Sequence, residues 1–301
     1  MKRAFHTYDV FTQTRFAGNP LAIVSDGAGL DTATMQAIAR EFNLSETVFL
    51  LPPEDPGHCA KARIFTPGME LPFAGHPTVG TAIFLAGERA RDGAGPVSIT
   101  LELAVGPVRV AVAGRAGKPP HAVFDIPQLA EEIGEAPPVE AVAAALALAP
   151  GDIGFETHRP SLFSAGNPFC FVPVKSLDAV ARVQVVQQHW DEAFISGRCP
   201  AAYVYTRETV DPDAAFHARM FWPAIGVGED PATGSAVAAM TGVINRFDRP
   251  GEGTYAGMIE QGFEMGRPSL MQLEMEISGG EVRRASIGGS AVPVLSGTID
   301  A

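Results

Sequence analysis

His76-Pro77-Thr78-Val79-Gly80-Thr81-Ala82 returns 154 positions later as Asp230-Pro231-Ala232-Thr233-Gly234-Ser235-Ala236. Proline, glycine and alanine recur in register, Thr81 is answered by Ser235, and the first position is ionisable in both copies. Working outward, Phe16-Ala17-Gly18-Asn19-Pro20-Leu21-Ala22-Ile23-Val24 is echoed by Ser164-Ala165-Gly166-Asn167-Pro168-Phe169-Cys170-Phe171-Val172, offset by 148. Arg63-Ile64-Phe65-Thr66-Pro67 is echoed by Arg219-Met220-Phe221-Trp222-Pro223, offset by 156. Three matches in one order at similar offsets imply two related domains. The length of 301 residues suits two domains of about 150.

In each half, Ala-Gly-Asn-Pro reads as a turn feeding an apolar strand, Leu21 to Val24 and Phe169 to Val174. A helix is predicted after the first, capped by Asp31, with Met35, Ile38, Ala39 and Phe42 on one face. Thr47 to Leu51 and Arg63 to Phe65 read as strands. The repeated phrase then opens a central helix in each half, about His76 to Ala86 and Pro231 to Asn245, with Pro77 and Pro231 in the first turn. Strands close each half: Val97 to Leu103 and Val108 to Val112, against Leu270 to Ile277 and Val282 to Ile287. The expected fold class is α+β, with two pseudo-symmetric domains, each a barrel-like, mostly antiparallel sheet around a central helix. Gly114 to Pro120 reads as the linker, giving domains 1–118 and 119–287, with a last strand at about 288–301 returning to the first.

Composition narrows the function. A formal charge of −12 leaves no basic surplus for phosphates, so no nucleic-acid partner is expected. No apolar run approaches the ~20 residues of a membrane span, and no apolar signal core follows the basic start, so no membrane association and a cytoplasmic location are expected. Cys59, Cys170 and Cys199 lack CxxC spacing and fit a reducing compartment. The seven histidines form no HExxH or His/Cys cluster, so no metal is expected.

The openings of the two helices carry the chemistry. Their first-turn N–H groups lack intrahelical partners and carry partial positive charge. Two such ends facing one cleft would cradle a carboxylate or enolate-like anion. Gly75 and Gly234 permit close backbone approach, and Ser235 adds a hydroxyl. His76 and Asp230 read either as helix caps or as members of a shared acid–base site, and their repetition favours the site. Glu46, in Asn43-Leu44-Ser45-Glu46-Thr47, reads from spacing alone as a solvated glutamate, ahead of the other reading as a general base in an apolar setting.

At these residues the chain resembles a known family. Asn43-Leu44-Ser45-Glu46-Thr47, Phe65-Thr66-Pro67, Glu70-Leu71-Pro72-Phe73-Ala74-Gly75-His76-Pro77-Thr78 and Gly228-Glu229-Asp230-Pro231-Ala232-Thr233-Gly234-Ser235-Ala236 are similar to the motifs of the PhzF-like isomerases of phenazine biosynthesis. Gln261-Gly262 with Met265-Gly266-Arg267-Pro268-Ser269 is similar to a further signature. The likeness runs from about Tyr8 to the C-terminus. It implies a diaminopimelate-epimerase-like fold with the active site between the halves, an enzyme without cofactor, and a homodimer. It implies Glu46 as the acid–base residue, assisted by His76 and Asp230, with Gly75, Gly234 and Ser235 holding a substrate carboxylate. The implied substrate is a small conjugated or cyclic carboxylic acid such as trans-2,3-dihydro-3-hydroxyanthranilate. An amino-acid epimerase of this fold would need a cysteine pair at the helix openings, where His76 and Asp230 stand instead. A non-catalytic small-acid binding protein is the remaining alternative. Arg15, Phe221 and Trp222 are further candidates for the pocket.

Overall fold

Lys2–Val10 (β1), partly exposed, and Asn19–Val24 (β2), buried at every residue but Pro20, are antiparallel partners, with Val10 opposite Asn19 closing the hairpin. The computed structural model describes residues 1–89, 96–115, 117–195, 199–223 and 227–301. After β2, the helix Thr32–Phe42 (α1) starts where Asp31 accepts the Thr34 N–H at 2.8 Å and stops at Asn43, whose φ of 51° is left-handed. Glu46–Leu51 (β3) then runs parallel to β2, Ala60–Phe65 (β4) antiparallel to β3, and the short Glu70–Leu71 (β5) antiparallel to β4. The central helix Gly75–Arg89 (α2) follows, and every residue from Ala74 to Phe84 is buried. A helix apolar on all sides belongs inside a core. It packs against β1, β2 and β3 and against the next three strands, Val97–Leu103 (β6), Gly106–Arg115 (β7) and Lys118–Asp125 (β8). The approach is close enough that a Cβ on Gly80 would lie 2.6 Å from Leu21 Cδ2 and 2.7 Å from Val10 Cγ2. Met35 and Ala39 of α1 pack outside the strands with Val24, Phe49 and Phe65.

The second unit repeats this order. Glu131–Gly134 (β9) pairs with Ser161–Ser164 (β10) beyond the helix Val139–Ala145 (α3), and β10 pairs antiparallel with Pro168–Pro173 (β11). Short helices Leu177–Arg182 (α4) and Gln187–Trp190 (α5) precede Ala202–Thr206 (β12), which is parallel to β11 as β3 is to β2. Phe216–Trp222 (β13) is antiparallel to β12, and Val227–Asp230 (β14) to β13. The second central helix, Gly234–Phe247 (α6), is buried continuously from Ala236 to Thr241 and packs on β9, β10 and β11. Gly253–Gln261 (β15) returns parallel to β13, as β6 does to β4, and Ser269–Ser278 (β16) is its antiparallel neighbour. A core of aromatic and branched residues, including Trp190, Phe194, Val172 and Val204, fills this unit beneath α3 to α5.

The chain ends in one long strand, Glu281–Asp300 (β17). Met1–Pro127 with Gly288–Ala301 forms one compact unit, and Gln128–Ile287 the other. In the first unit β17 pairs with both β8 and β1, closing the ring β1-β2-β3-β4-β6-β7-β8-β17 into an eight-stranded barrel around α2.

Two expectations need correction. The stretch 114–120 is no linker: Arg115 pairs with Lys118 across the β7–β8 hairpin, and the chain stays in the first unit until Pro127. Residue Ala116 lies outside the described residues. Pro119 and Pro120 disguise β8, although a strand tolerates proline near its start. Likewise α6 begins at Gly234, not Pro231, because pairing of Asp230 with Met220 keeps the strand extended up to the phrase. Among the described residues no helix is long and apolar enough to cross a membrane.

Candidate active site

In the first unit the sequence-predicted residues converge. Glu46 is the first residue of β3, reached through the left-handed Asn43, and β2 fixes its height by pairing Leu21 with it. His76 is the second residue of α2, after Gly75. Its Nε2 lies 3.2 Å from Glu46 Oε2, with the two side chains 4% and 15% exposed. The approach is close but off-axis for a hydrogen bond.

This is not an ion pair. Burial drives the His76 imidazolium down to a pKa of about 3, so the ring is neutral near pH 7. One proton carried by either Nε2 or Oε2 is enough to make their contact attractive. The ring therefore places no fixed positive charge beside the carboxyl group. Pro77, in the first turn of α2, has no N–H to lose, and Thr78 Oγ1 donates to Ala74 O at 2.7 Å.

In the second unit Asp230 ends β14 and is buried. It does not cap α6, since Thr233 stands at the cap position. Instead Thr233 Oγ1 donates to Asp230 Oδ2 at 2.6 Å. Gly234 and the half-buried Ser235 form the first turn of α6, whose N–H groups lie beyond the reach of intrahelical acceptors. The phenol of Tyr203 lies in the same cluster, and burial together with the Asp230 charge pushes its pKa far up, so it remains a neutral donor. Sequence reasoning missed Thr233 and Tyr203 as site-forming residues. Neither type announces a site without the strand order that collects them.

The remaining candidates fall elsewhere. Phe221 belongs to the core of the second unit, and the exposed Arg15 spends its Nε–H on Pro293 O at 2.9 Å. Trp222 packs edge-on to Phe169, with ring centres 6.0 Å apart. The buried thiols are poor nucleophiles: burial raises Cys199 to about 12 and Cys170 well above the usual thiol range. Among the described residues, Glu156, His158 and Asp248 bring three metal-type donors within 4.8 Å of one another. The Arg207 guanidinium already supplies the cation there, bonding Asp248 and lying 3.4 Å from Glu156. A cavity of 890 Å³ in the first unit, lined by Glu54, His58, Lys61, Arg63 and Glu102, contains none of the predicted site residues.

Residues 8–297 match the model of the phenazine biosynthesis-like protein family, PhzC-PhzF. An uncharacterised isomerase of Mesorhizobium japonicum is 50% identical over 99% of this chain and 98% of its own. The trans-2,3-dihydro-3-hydroxyanthranilate isomerase of Pseudomonas fluorescens is 34% identical over 98% of this chain and 99% of its own. Among solved structures, a PhzF-family phenazine biosynthesis protein of Bacillus anthracis superposes over the full length of both chains with a TM-score of 0.90 at 25% identity.

Proposed function

The chain belongs to the phenazine biosynthesis-like PhzC-PhzF family and is an isomerase of the diaminopimelate-epimerase-like fold, and from that premise we propose that it moves a proton between two carbons of a small conjugated or cyclic carboxylic acid. Glu46 takes the proton from one carbon and returns it to another. The observation that carries this reading is the buried, neutral His76 held 3.2 Å from the Glu46 carboxyl group.

A carbon acid beside a carboxylate yields its proton when the resulting negative charge can spread into a conjugated system. The first base must also remain available to reprotonate the new position. Glu46 suits both steps: it is 15% exposed, open enough to meet substrate, and its neighbour carries no charge that would hold it permanently ionised. His76 serves as a neutral relay whose ring nitrogen can share the captured proton. The substrate's own carboxylate is assigned to the N–H groups at Gly75, Gly234 and Ser235 and the Ser235 hydroxyl, with Asp230 completing the catalytic set. No cofactor is invoked, because proton transfer within one molecule changes no oxidation state. We extend the reading to a cytoplasmic homodimer.

An epimerase would invert one carbon with two opposed bases. The helix openings offer a histidine and an aspartate in place of two thiols, which supports an allylic shift instead. The test is incubation with trans-2,3-dihydro-3-hydroxyanthranilate in D₂O followed by NMR. Wild type is expected to isomerise it, with deuterium at the new C–H to the extent that the captured proton exchanges with solvent before its return, and Glu46→Gln to lose at least about 100-fold in turnover. Near-normal turnover by a folded Glu46→Gln would refute the assignment. Inactivity of wild type toward this compound alone would move the substrate to another conjugated acid.

A further inference from the structure

Gln261, the last residue of β15, is fully buried, yet the catalytic scheme makes no use of it. Its amide forms four hydrogen bonds. Nε2 donates to the Asp230 main-chain O at 2.7 Å and to Thr233 Oγ1 at 3.1 Å. Oε1 accepts the Thr233 N–H at 3.2 Å and the Tyr203 hydroxyl at 3.2 Å. Two of these partners fix the amide's orientation, since a main-chain carbonyl can only accept and a main-chain N–H can only donate.

One more step reaches the carboxylate. Thr233 Oγ1 receives a hydrogen from Gln261, so its own hydrogen is directed to Asp230 Oδ2, 2.6 Å away. The floor of the cluster is equally constrained. Gly262 has φ of +80°, and a Cβ there would lie 2.6 Å from Pro231 O and 2.5 Å from Arg267 O. No other residue could bring the chain this close beneath Asp230-Pro231 at the same φ.

We propose that Gln261 is a positioning residue for Asp230, acting through the Thr233 hydroxyl, and that it also sets the start of α6. The catalytic half of this inference rests on the role of Asp230 given under Proposed function. In chemical terms, the amide is a polarity filter: it selects the one hydroxyl rotamer that donates to the carboxylate and thereby favours ionised, immobile Asp230. A glutamate at the same place would present lone pairs to two oxygens and draw the Thr233 hydrogen away from Asp230.

The experiment is a double-mutant cycle of Gln261→Glu and Thr233→Val, read by NMR of ¹³Cγ-labelled aspartate with Asp230→Asn providing the assignment. Each single variant is expected to raise the titration midpoint of Asp230 by about one pH unit. With the neutral Gln261→Met in place of Gln261→Glu, which adds no charge of its own beside Asp230, the double variant is expected to shift it by much less than the sum, because both changes then act through one hydroxyl. Additive shifts in that cycle, or no shift in folded protein, would overturn the proposal. If Gln261→Glu does not fold, Gln261→Met supplies the single-variant shift as well. This readout needs no substrate, so it stands or falls apart from the activity assay. In the kinetic arm, kcat for Gln261→Glu is expected to fall about 100-fold with KM little changed, as displacement of an aligned group does. A shifted Asp230 with unchanged kcat would reject its catalytic role, whereas activity surviving Glu46→Gln would reject the role of Glu46 and leave that of Asp230 standing.

Discussion

At the residue scale, His76 converts burial into chemistry. A histidine 3.2 Å from a carboxylate invites description as a salt bridge, but at 4% exposure the cost of desolvating an imidazolium outweighs the attraction. Its pKa of about 3 lies below the unfolded value of about 6.5, so the unfolded chain binds the extra proton first as pH falls. Stability due to neutral His76 is therefore present above about pH 6.5 and declines as pH drops toward 3. Linkage puts the loss between pH 7 and pH 5 at about 2 kcal/mol. Urea titrations of wild type and His76→Gln at the two pH values measure it. The variant is expected to lose less stability than wild type by about that amount, and equal losses would show that His76 remains protonated when folded. The same neutrality means that an acid limb in the rate profile well above pH 3 does not report on His76.

At the element scale, the two central helices show which parts of the design can be read from sequence. Within α2, Gly80 faces Leu21 and Val10 at separations that exclude a Cβ, whereas Gly87 has nothing within 4 Å. Gly87→Ala is expected to stabilise by up to about 1 kcal/mol through helix propensity. Gly80→Ala gains the same term but incurs about 1–3 kcal/mol of overpacking, for a net loss of about 1 kcal/mol. Thermal melts of the pair should shift in opposite directions, and a stabilising Gly80→Ala would mean that Val10 and Leu21 yield freely. That His76-Pro77-Thr78-Val79-Gly80 opens a buried helix was legible, because proline, glycine and small residues at the start of an apolar run have few other uses. The Glu46–His76 meeting was not legible from spacing: it depends on β2 and β3 running parallel, a long-range pairing with no local signal. Strand β8 was hidden by Pro119 and Pro120, and the start of α6 by Pro231, which suits a first helical turn but here follows a paired strand. Gln261-Gly262 was visible as a motif, but its purpose required seeing that β15 ends beneath Asp230.

At the scale of the whole molecule, the two units carry opposite pH liabilities. The first contains a histidine that must stay neutral, and the second contains one that must stay charged. His217 on β13 lies between Glu260, whose oxygen is 2.6 Å from Nδ1, and Glu264, 2.9 Å from Nε2. Burial alone would push this imidazolium down, but the bonds to Glu260 and then Glu264 hold its pKa up at about 9. Glu260, itself fully buried, also accepts the Val210 N–H at 2.6 Å and the Asp211 N–H at 2.8 Å. The network thus joins β13 and β15 to the loop before β13. Because the folded pKa exceeds the unfolded value of about 6.5, the stabilisation is complete below that pH and disappears as pH rises through 9. Linkage gives a loss of about 2 kcal/mol between pH 7 and pH 9. Replacing His217 with glutamine would remove that dependence while leaving Glu260 without its counter-charge, at a cost of about 3–5 kcal/mol near neutrality. Hydrogen exchange on wild type separates the two liabilities: protection should fall first in Met1–Pro127 at pH 5 and first in Gln128–Ile287 at pH 9. Equal loss in both units at either extreme would mean that they unfold as one, with neither histidine setting the limit.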